Sequence, residues 1–292
     1  MTRRVLPEIE VDRGLKAAIA TVGGAFASIE EAETVALRGD IAAPLTNLAY
    51  WQTFSKAADS LIERHGYVVI RGLQADEGRS LLILGTIFRA AFDAYKPGKI
   101  VKRFRMSPWT SELSHTTRAG DFHTDGNVSP NPPVGTAMQC EQEDPGAPEF
   151  AEQRVVCLTD LLARLGSGDR ADVEALRFLT DTEVVMGHER SPTVWRGRPV
   201  NNGTIRYHPH SLRMADARLK CGPDDLDAII ATIHNAAVEA SVPFHTAAGD
   251  AVLVSNRTAL HYRGACSVRF TRFPAEFESR SLYVLHMRDG RG

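Results

Sequence analysis

Apolar residues recur at helical spacing through much of the chain up to His65. They then fall into short runs and alternations, and that change of period divides the chain. The spacing predicts helices over residues 14–20, 29–37 and 50–64, with Pro44 as a break between the last two. His65-Gly66 ends the third helix, and Tyr67 to Leu73 follows as a short apolar strand. Residues 79–95 return to helical spacing, with Leu81, Leu82, Leu84, Ile87, Phe88 and Phe92 as the buried stripe. From about residue 100, strands are predicted over 101–105, 120–124, 135–141, 153–158, 182–185, 194–198, 204–208, 251–255 and 281–287. Helices are predicted over 160–165, 173–179 and 224–238, and 144–152 and 187–203 read as loops over a site. Regular strand–helix alternation is missing after residue 100, which argues against a doubly wound sheet. The pattern predicts a mainly β fold with flanking helices (α+β), a jelly roll with helical buttresses. It is read as one domain spanning 1–292, with a helical N-terminal buttress over 1–65 and the core from about 66 to 292.

Composition narrows the function more than the fold. The 292 residues carry a formal net charge of -2, with 43% hydrophobic and 24% charged residues, so no basic surplus points to nucleic acid or anionic lipid. The basic run from Lys99 to Arg105 reads as a solvated strand near the mouth of a site. Cys140, Cys157, Cys221 and Cys266 are widely spaced and form no C-x-x-C pair, which suits reduced thiols better than a disulfide framework or zinc ribbon. After Met1-Thr2-Arg3-Arg4 come Pro7, Glu8, Glu10 and Asp12, where a signal peptide needs an apolar run. No stretch approaches the ~18 continuous apolar residues of a membrane span. The expectation is a cytoplasmic protein acting on a small-molecule substrate, without nucleic acid or membrane partners, and compatible with a homo-oligomer.

Candidate chemistry centres on His123-Thr124-Asp125. On an extended strand, side chains two apart share a face, so the imidazole and the carboxylate point the same way. Alone, His-x-Asp is weak evidence, since most such pairs are incidental. A distant third ligand, His261, would complete the two-His-one-carboxylate face used by non-heme Fe(II) oxygenases. It is read as lying at the end of the apolar strand that begins at Ala251, far downstream of His123.

The segments His65 to Leu73 and Phe122-His123-Thr124-Asp125, together with the order of motifs toward the C-terminus, resemble the TauD/TfdA group of Fe(II)- and 2-oxoglutarate-dependent oxygenases. The similarity includes the clavaminate-synthase-like branch and leaves the chain up to about Tyr50 outside it. The resemblance implies a double-stranded β-helix, a cupin-like jelly roll, holding Fe(II) on His123, Asp125 and His261. It implies 2-oxoglutarate and O2 as co-substrates, with an arginine after the second histidine gripping the distal carboxylate. Two arginines compete for that role: Arg272 has the family's usual spacing after His261, and Arg280 lies further out. Arg280 is chosen because it opens the last predicted strand, while Arg269 and Arg272 read as exposed residues of a basic hairpin beside Pro274. Gln153 stands where relatives carry Thr or Ser for the same carboxylate, and it reads equally as a surface residue.

Arg118, Arg206 and His208 are candidates for substrate binding. For Arg118 the plain reading is an exposed loop charge. Val284 occupies the position of the sulfonate-binding arginine, so a taurine-like substrate is not expected. His208 and His210 follow Arg206-Tyr207 where relatives acting on arginine-like amino acids carry an aspartate, which argues against a strongly cationic substrate. The presence of Asp125 favours hydroxylation over halogenation. The expected activity is hydroxylation of an unactivated C–H bond of an amino acid or natural-product intermediate. Desaturation, cyclisation and epoxidation by the same family, or a cupin-type metal enzyme that does not use 2-oxoglutarate, are the alternatives.

Overall fold

The structure, a computed structural model, describes residues 4–188 and 191–289. Met1, Thr2 and Arg3 of the basic N-terminus, and Glu189 and Arg190 of the predicted 187–203 loop, lie outside the described residues.

The chain opens with strand β1 (Glu8–Glu10), then helices α1 (Arg13–Gly24) and α2 (Ile29–Leu37), a 3-10 turn at Ala43–Leu45, and α3 (Ala49–His65). Asp12 and Ser28 cap the first two helices by accepting from the backbone N–H groups of Leu15 and Glu31. Pro44 sits in the 3-10 turn, where the break was expected. Helix α3 stops at Gly66, whose φ of +78° is left-handed and whose N–H donates to the carbonyl of Ile62. A Cβ at that glycine would lie 2.7 Å from Ala259 Cβ, so the turn leads tightly into β2 (Tyr67–Arg71). The N-terminal buttress is therefore not wholly helical, because β1 pairs in parallel with β2.

Residues 79–95 do not form one helix. α4 (Arg79–Gly85) passes into a 3-10 turn at Thr86–Phe88, Arg89 adopts φ +51°, and the chain returns as β3 (Ala91–Asp93). Phe92 does belong to the buried stripe, but it reaches the core from a strand, its ring against Gly85. There follow β4 (Lys102–Arg105), β5 (Gly135–Gln142), β6 (Gln153–Cys157), α5 (Leu158–Gly166), α6 (Arg170–Thr180), β7 (Val184–Gly187), β8 (Val194–Gly197), β9 (Val200–Asn201) and β10 (Thr204–Ile205). The remainder is α7 (Pro209–Leu219), α8 (Leu226–Ala240), β11 (Ala251–Ser255), β12 (Ala259–Arg263), β13 (Val268–Arg272), β14 (Glu276–Ser279) and β15 (Ser281–Arg288). Three further sequence expectations change. The strand expected over 204–208 ends at Ile205, because His208 caps a helix that has Pro209 in its first turn. Much of the expected 187–203 loop is hairpin, β7 with β8 and β9 with β10. The strand expected over 120–124 is reduced to a single bridge between His123 and His261.

Seven strands form one sheet in the order β1-β2-β11-β5-β15-β3, with β4 also on β15. Period-two alternation decides what each face buries. Val68, Ile70, Ala137, Leu253 and Leu285 join the core under α1 to α4. Tyr67, Val69, Val252 and Val254 face the other way and pack on Val155, Ala259 and Phe244 of a second, smaller layer. That layer is the β6–β12 pair, extended by bridges at His123 and Phe244. Its back, through Val156 and Leu260, packs on α5, α6 and α8. The architecture is mixed α+β, with helices covering more of the described residues than strands do, so the β core is not the larger part. Among the described residues no helix is long and apolar enough to cross a membrane.

Candidate metal centre and anion site

His123 and His261 meet because their backbones pair. His123 N–H donates to His261 O at 3.0 Å and His261 N–H to His123 O at 3.1 Å, which brings the rings to 4.3 Å. His261 does not end the strand that begins at Ala251. A turn at 256–258 separates it from β11 and puts it on β12 in the opposite layer. That turn also supplies Asn256, which accepts from Asp125 N–H at 2.7 Å and donates to the carbonyls of Asp125 at 3.0 Å and Pro133 at 2.8 Å. One amide side chain thereby holds the backbone of Asp125 on both sides.

His123, Asp125 and His261 each offer a ligand atom, all within 4.8 Å of one another. His123 Nδ1 lies 2.8 Å from the carbonyl of Asp121, which can only accept, so the proton is on Nδ1 and the Nε2 lone pair is free. His123 Nε2 sits 3.8 Å from Asp125 Oδ1, and His261 Nε2 sits 3.7 Å from Oδ2. Burial lowers the His261 pKa to about 4, leaving a neutral imidazole at neutral pH. Burial would raise the Asp125 carboxyl, but the imidazoles of His261, His286 and His123 outweigh it and hold the pKa well below the ordinary value. Two imidazoles and one carboxylate on a shared face fit a divalent cation such as Fe(II).

The second oxygen of Asp125 is engaged on its own account. Thr136 Oγ1 donates to Oδ2 at 2.6 Å, and His286 Nε2 lies 3.3 Å from the same atom. Thr136 on β5 and His286 on β15 are paired directly across the ladder. Neither was singled out in the sequence, although a parity signal existed. Arg280 immediately precedes β15 and lies an even step from His286, which on a continued strand would place both on the same face.

At the other end of that face stands Arg280, 2% exposed and among the largest fully buried side chains. Its Nη2 donates to Thr246 Oγ1 at 3.3 Å, while Nη1 is buried without a hydrogen-bond partner among the described residues. Gln153, also buried and so not the surface residue of the plain reading, donates from Nε2 to the same hydroxyl at 2.9 Å. A buried cation with an unused donor, beside a hydroxyl and an amide, fits a carboxylate such as the distal group of 2-oxoglutarate. A cavity of about 360 Å³ reaches Arg280 and Thr246 past the 144–152 loop and Arg71. Arg71 is already paired with Asp250 and Glu8, so it offers no free charge. Between the two ends, Cys140, Leu282 and Val284 form an apolar floor with Met138. Arg272 and Arg269 lie on the β13–β14 hairpin, their side chains 79% and 65% exposed, against Glu276 and Glu278.

The remaining candidates separate by position. His208 packs at the centre, its ring 5.0 Å from that of His123, and its Nδ1 accepts from Ser211 N–H, which leaves the proton on Nε2. Burial lowers its pKa to about 3. Arg206 is half-buried, stacked 4.8 Å over Trp195 with Nη1 donating to Ser129 O at 3.0 Å. Arg118 is exposed, and its carbonyl receives Arg263 Nη2 at 2.9 Å. The structure groups His208 with the triad and leaves Arg118 at the surface.

The model of the family described as taurine catabolism dioxygenase TauD, TfdA family, matches residues 33–272. No curated protein matches the sequence. Among solved structures, an asparagine oxygenase in complex with Fe(II), 2S,3S-3-hydroxyasparagine and succinate superposes with a TM-score of 0.71 at 14% identity, over 97% of this chain and 94% of that one. The non-heme iron oxygenase OrfP in complex with Fe and alpha-ketoglutaric acid gives 0.68 at 17% identity, over 97% and 94%. OrfP with Fe and L-Arg gives 0.63 at 16% identity, over 96% and 93%.

Proposed function

The chain belongs to the TauD/TfdA family of dioxygenases, and from that premise we propose that it uses Fe(II) and 2-oxoglutarate to hydroxylate an unactivated C–H bond of an amino acid or amino-acid-derived intermediate. The observation that carries the proposal is the pairing of two sites on one strand face. A cation-ready triad stands at Asp125, and a buried arginine with an unused donor stands at Arg280. A metal enzyme that did not bind a dicarboxylate would have no use for the second site. The two facing layers are read as a double-stranded β-helix in one domain spanning 1–292, a reading supported by the overall likeness to the asparagine oxygenase and to OrfP. The amino-acid class rests on the ligands of those same proteins. The four unpaired cysteines support a cytoplasmic setting.

In this reading His123, Asp125 and His261 hold the iron, which when bound supplies the oxidising chemistry that couples 2-oxoglutarate decarboxylation to attack on a C–H bond. Arg280 grips the distal carboxylate through charge-assisted hydrogen bonds, and Gln153 and Thr246 orient it. Cys140, Leu282 and Val284 exclude water between the two ends, which strengthens the electrostatic hold on the co-substrate. His208, neutral and with its proton on Nε2, is placed to donate a hydrogen bond to substrate beside His123.

The test is succinate release by the purified protein with Fe(II), ascorbate and 2-oxoglutarate, against a panel of proteinogenic amino acids and their acylated derivatives. A substrate-stimulated stoichiometric release with a product heavier by one oxygen atom is expected; a product lighter by two hydrogens would instead indicate desaturation or ring closure. Metal binding without any consumption of 2-oxoglutarate, with every panel member, would remove the oxygenase reading.

A further inference from the structure

We propose that His286 and Thr136 are positioning residues that reserve Asp125 as a one-oxygen metal ligand, an inference that rests on the metal reading of the triad. Carboxylate oxygens differ only by what surrounds them, and here the surroundings are unequal. Oδ2 receives Thr136 Oγ1 at 2.6 Å and faces His286 Nε2 at 3.3 Å, two donors for its two lone-pair directions. The other oxygen, Oδ1, receives no such donor and lies 3.8 Å from His123 Nε2, while His261 Nε2 is 3.7 Å from Oδ2.

The ring proton of His286 is fixed from behind. Lys102 Nζ lies 3.5 Å from His286 Nδ1, and an ammonium can only donate, so Nδ1 is the acceptor and the proton sits on Nε2 toward Asp125. Lys102 is itself held over the ring of Tyr95, 5.3 Å from its centroid. Thr136 and His286 are cross-strand partners of the rigid seven-stranded sheet, and Asn256 holds the backbone of Asp125 from the turn after β11. Backbone and side chain of Asp125 are thus clamped by groups outside the triad, and a carboxylate so clamped would be held from swinging or spreading both oxygens around an ion. Partners of this kind typically carry about 10–100-fold in metal affinity.

The experiment is anaerobic titration of the metal-free protein with Fe(II), and with Co(II) read by its visible absorption, for wild type, His286→Ala, His286→Gln, Thr136→Val and Asp125→Ala. The expected results are a loss of affinity of about 10–100-fold in His286→Ala and in Thr136→Val, an altered Co(II) band, and recovery of most of the affinity in His286→Gln, which restores a donor. The 2-oxoglutarate KM of His286→Ala, measured at saturating Fe(II), stays at the wild-type value, because Arg280 is untouched. Unchanged metal affinity and Co(II) absorption in His286→Ala would overturn the inference. So would equal damage in His286→Gln and His286→Ala, which would mark His286 as a ligand or a packing residue. A wild-type protein that binds no metal, or Asp125→Ala binding as tightly as wild type, would defeat the metal reading itself, a different failure.

Discussion

The two ends of strand β15 border opposite charges in opposite states. At the His286 end the half-buried carboxylate of Asp125 is held on several sides: its backbone by Asn256, and Oδ2 by Thr136 and His286 with His261 Nε2 3.7 Å away, while Oδ1 turns to His123. At the Arg280 end the buried guanidinium has a hydroxyl on one nitrogen and, among the described residues, no hydrogen-bond partner on another. Leaving a donor of a buried charge unused is costly, so that nitrogen is where an anionic ligand would complete the structure. A metal ligand must be rigid before the ion arrives. An anion receptor must keep a donor in reserve.

Breaking the first end has the largest expected effect. Asp125→Ala removes the only carboxylate of the triad and abolishes both substrate oxidation and tight Fe(II) binding, read by product formation and by metal titration. Full turnover in that variant would sink the triad. Next comes the second end: Arg280→Ala should raise the 2-oxoglutarate KM on the order of a hundredfold or more, the penalty for losing a buried charge pair. Arg272→Ala, on its exposed hairpin, should leave KM unchanged; the reverse ranking would move the anion site. Thr246→Ala and Gln153→Ala each delete one neutral hydrogen-bonding group and should raise the same KM by about tenfold or less.

The smallest effect concerns the metal-free protein and pH. Burial holds His261 near 4 and His208 near 3, against an ordinary 6.5, so between those limits the unfolded chain binds more protons than the fold. Stability of the metal-free protein is then present above about 6.5 and is lost as the pH falls through that window, with Asp125 adding to the loss below the ordinary carboxylate value of 3.8. Melting temperatures of the chelated protein from pH 7 down to 4.5 should decline, and more gently in His261→Phe. A flat wild-type profile would contradict the burial argument.

Local pattern alone was enough for the helix over 29–37, the strand over 251–255 and the stop at Gly66. Each depends on neighbours in the chain: cap, period and a left-handed glycine. His-x-Asp and His261 were legible as residue types with suitable spacing, and the place of Arg280 at the start of the last predicted strand favoured it over Arg272. Tertiary structure decided the rest. Residues 89–95 leave helical geometry because β15 offers them a strand edge, which no window on the sequence contains. Helix α7 is set by the His208 cap and Pro209 and packs against β7, with few apolar residues to announce it. Thr136, Thr246, Asn256 and His286 lie on segments far apart in the chain. What they do depends on which oxygen or nitrogen each one meets. Side-chain periodicity is a local property and can be read along a chain, whereas hydrogen-bond partners across two packed layers exist only once the layers have closed.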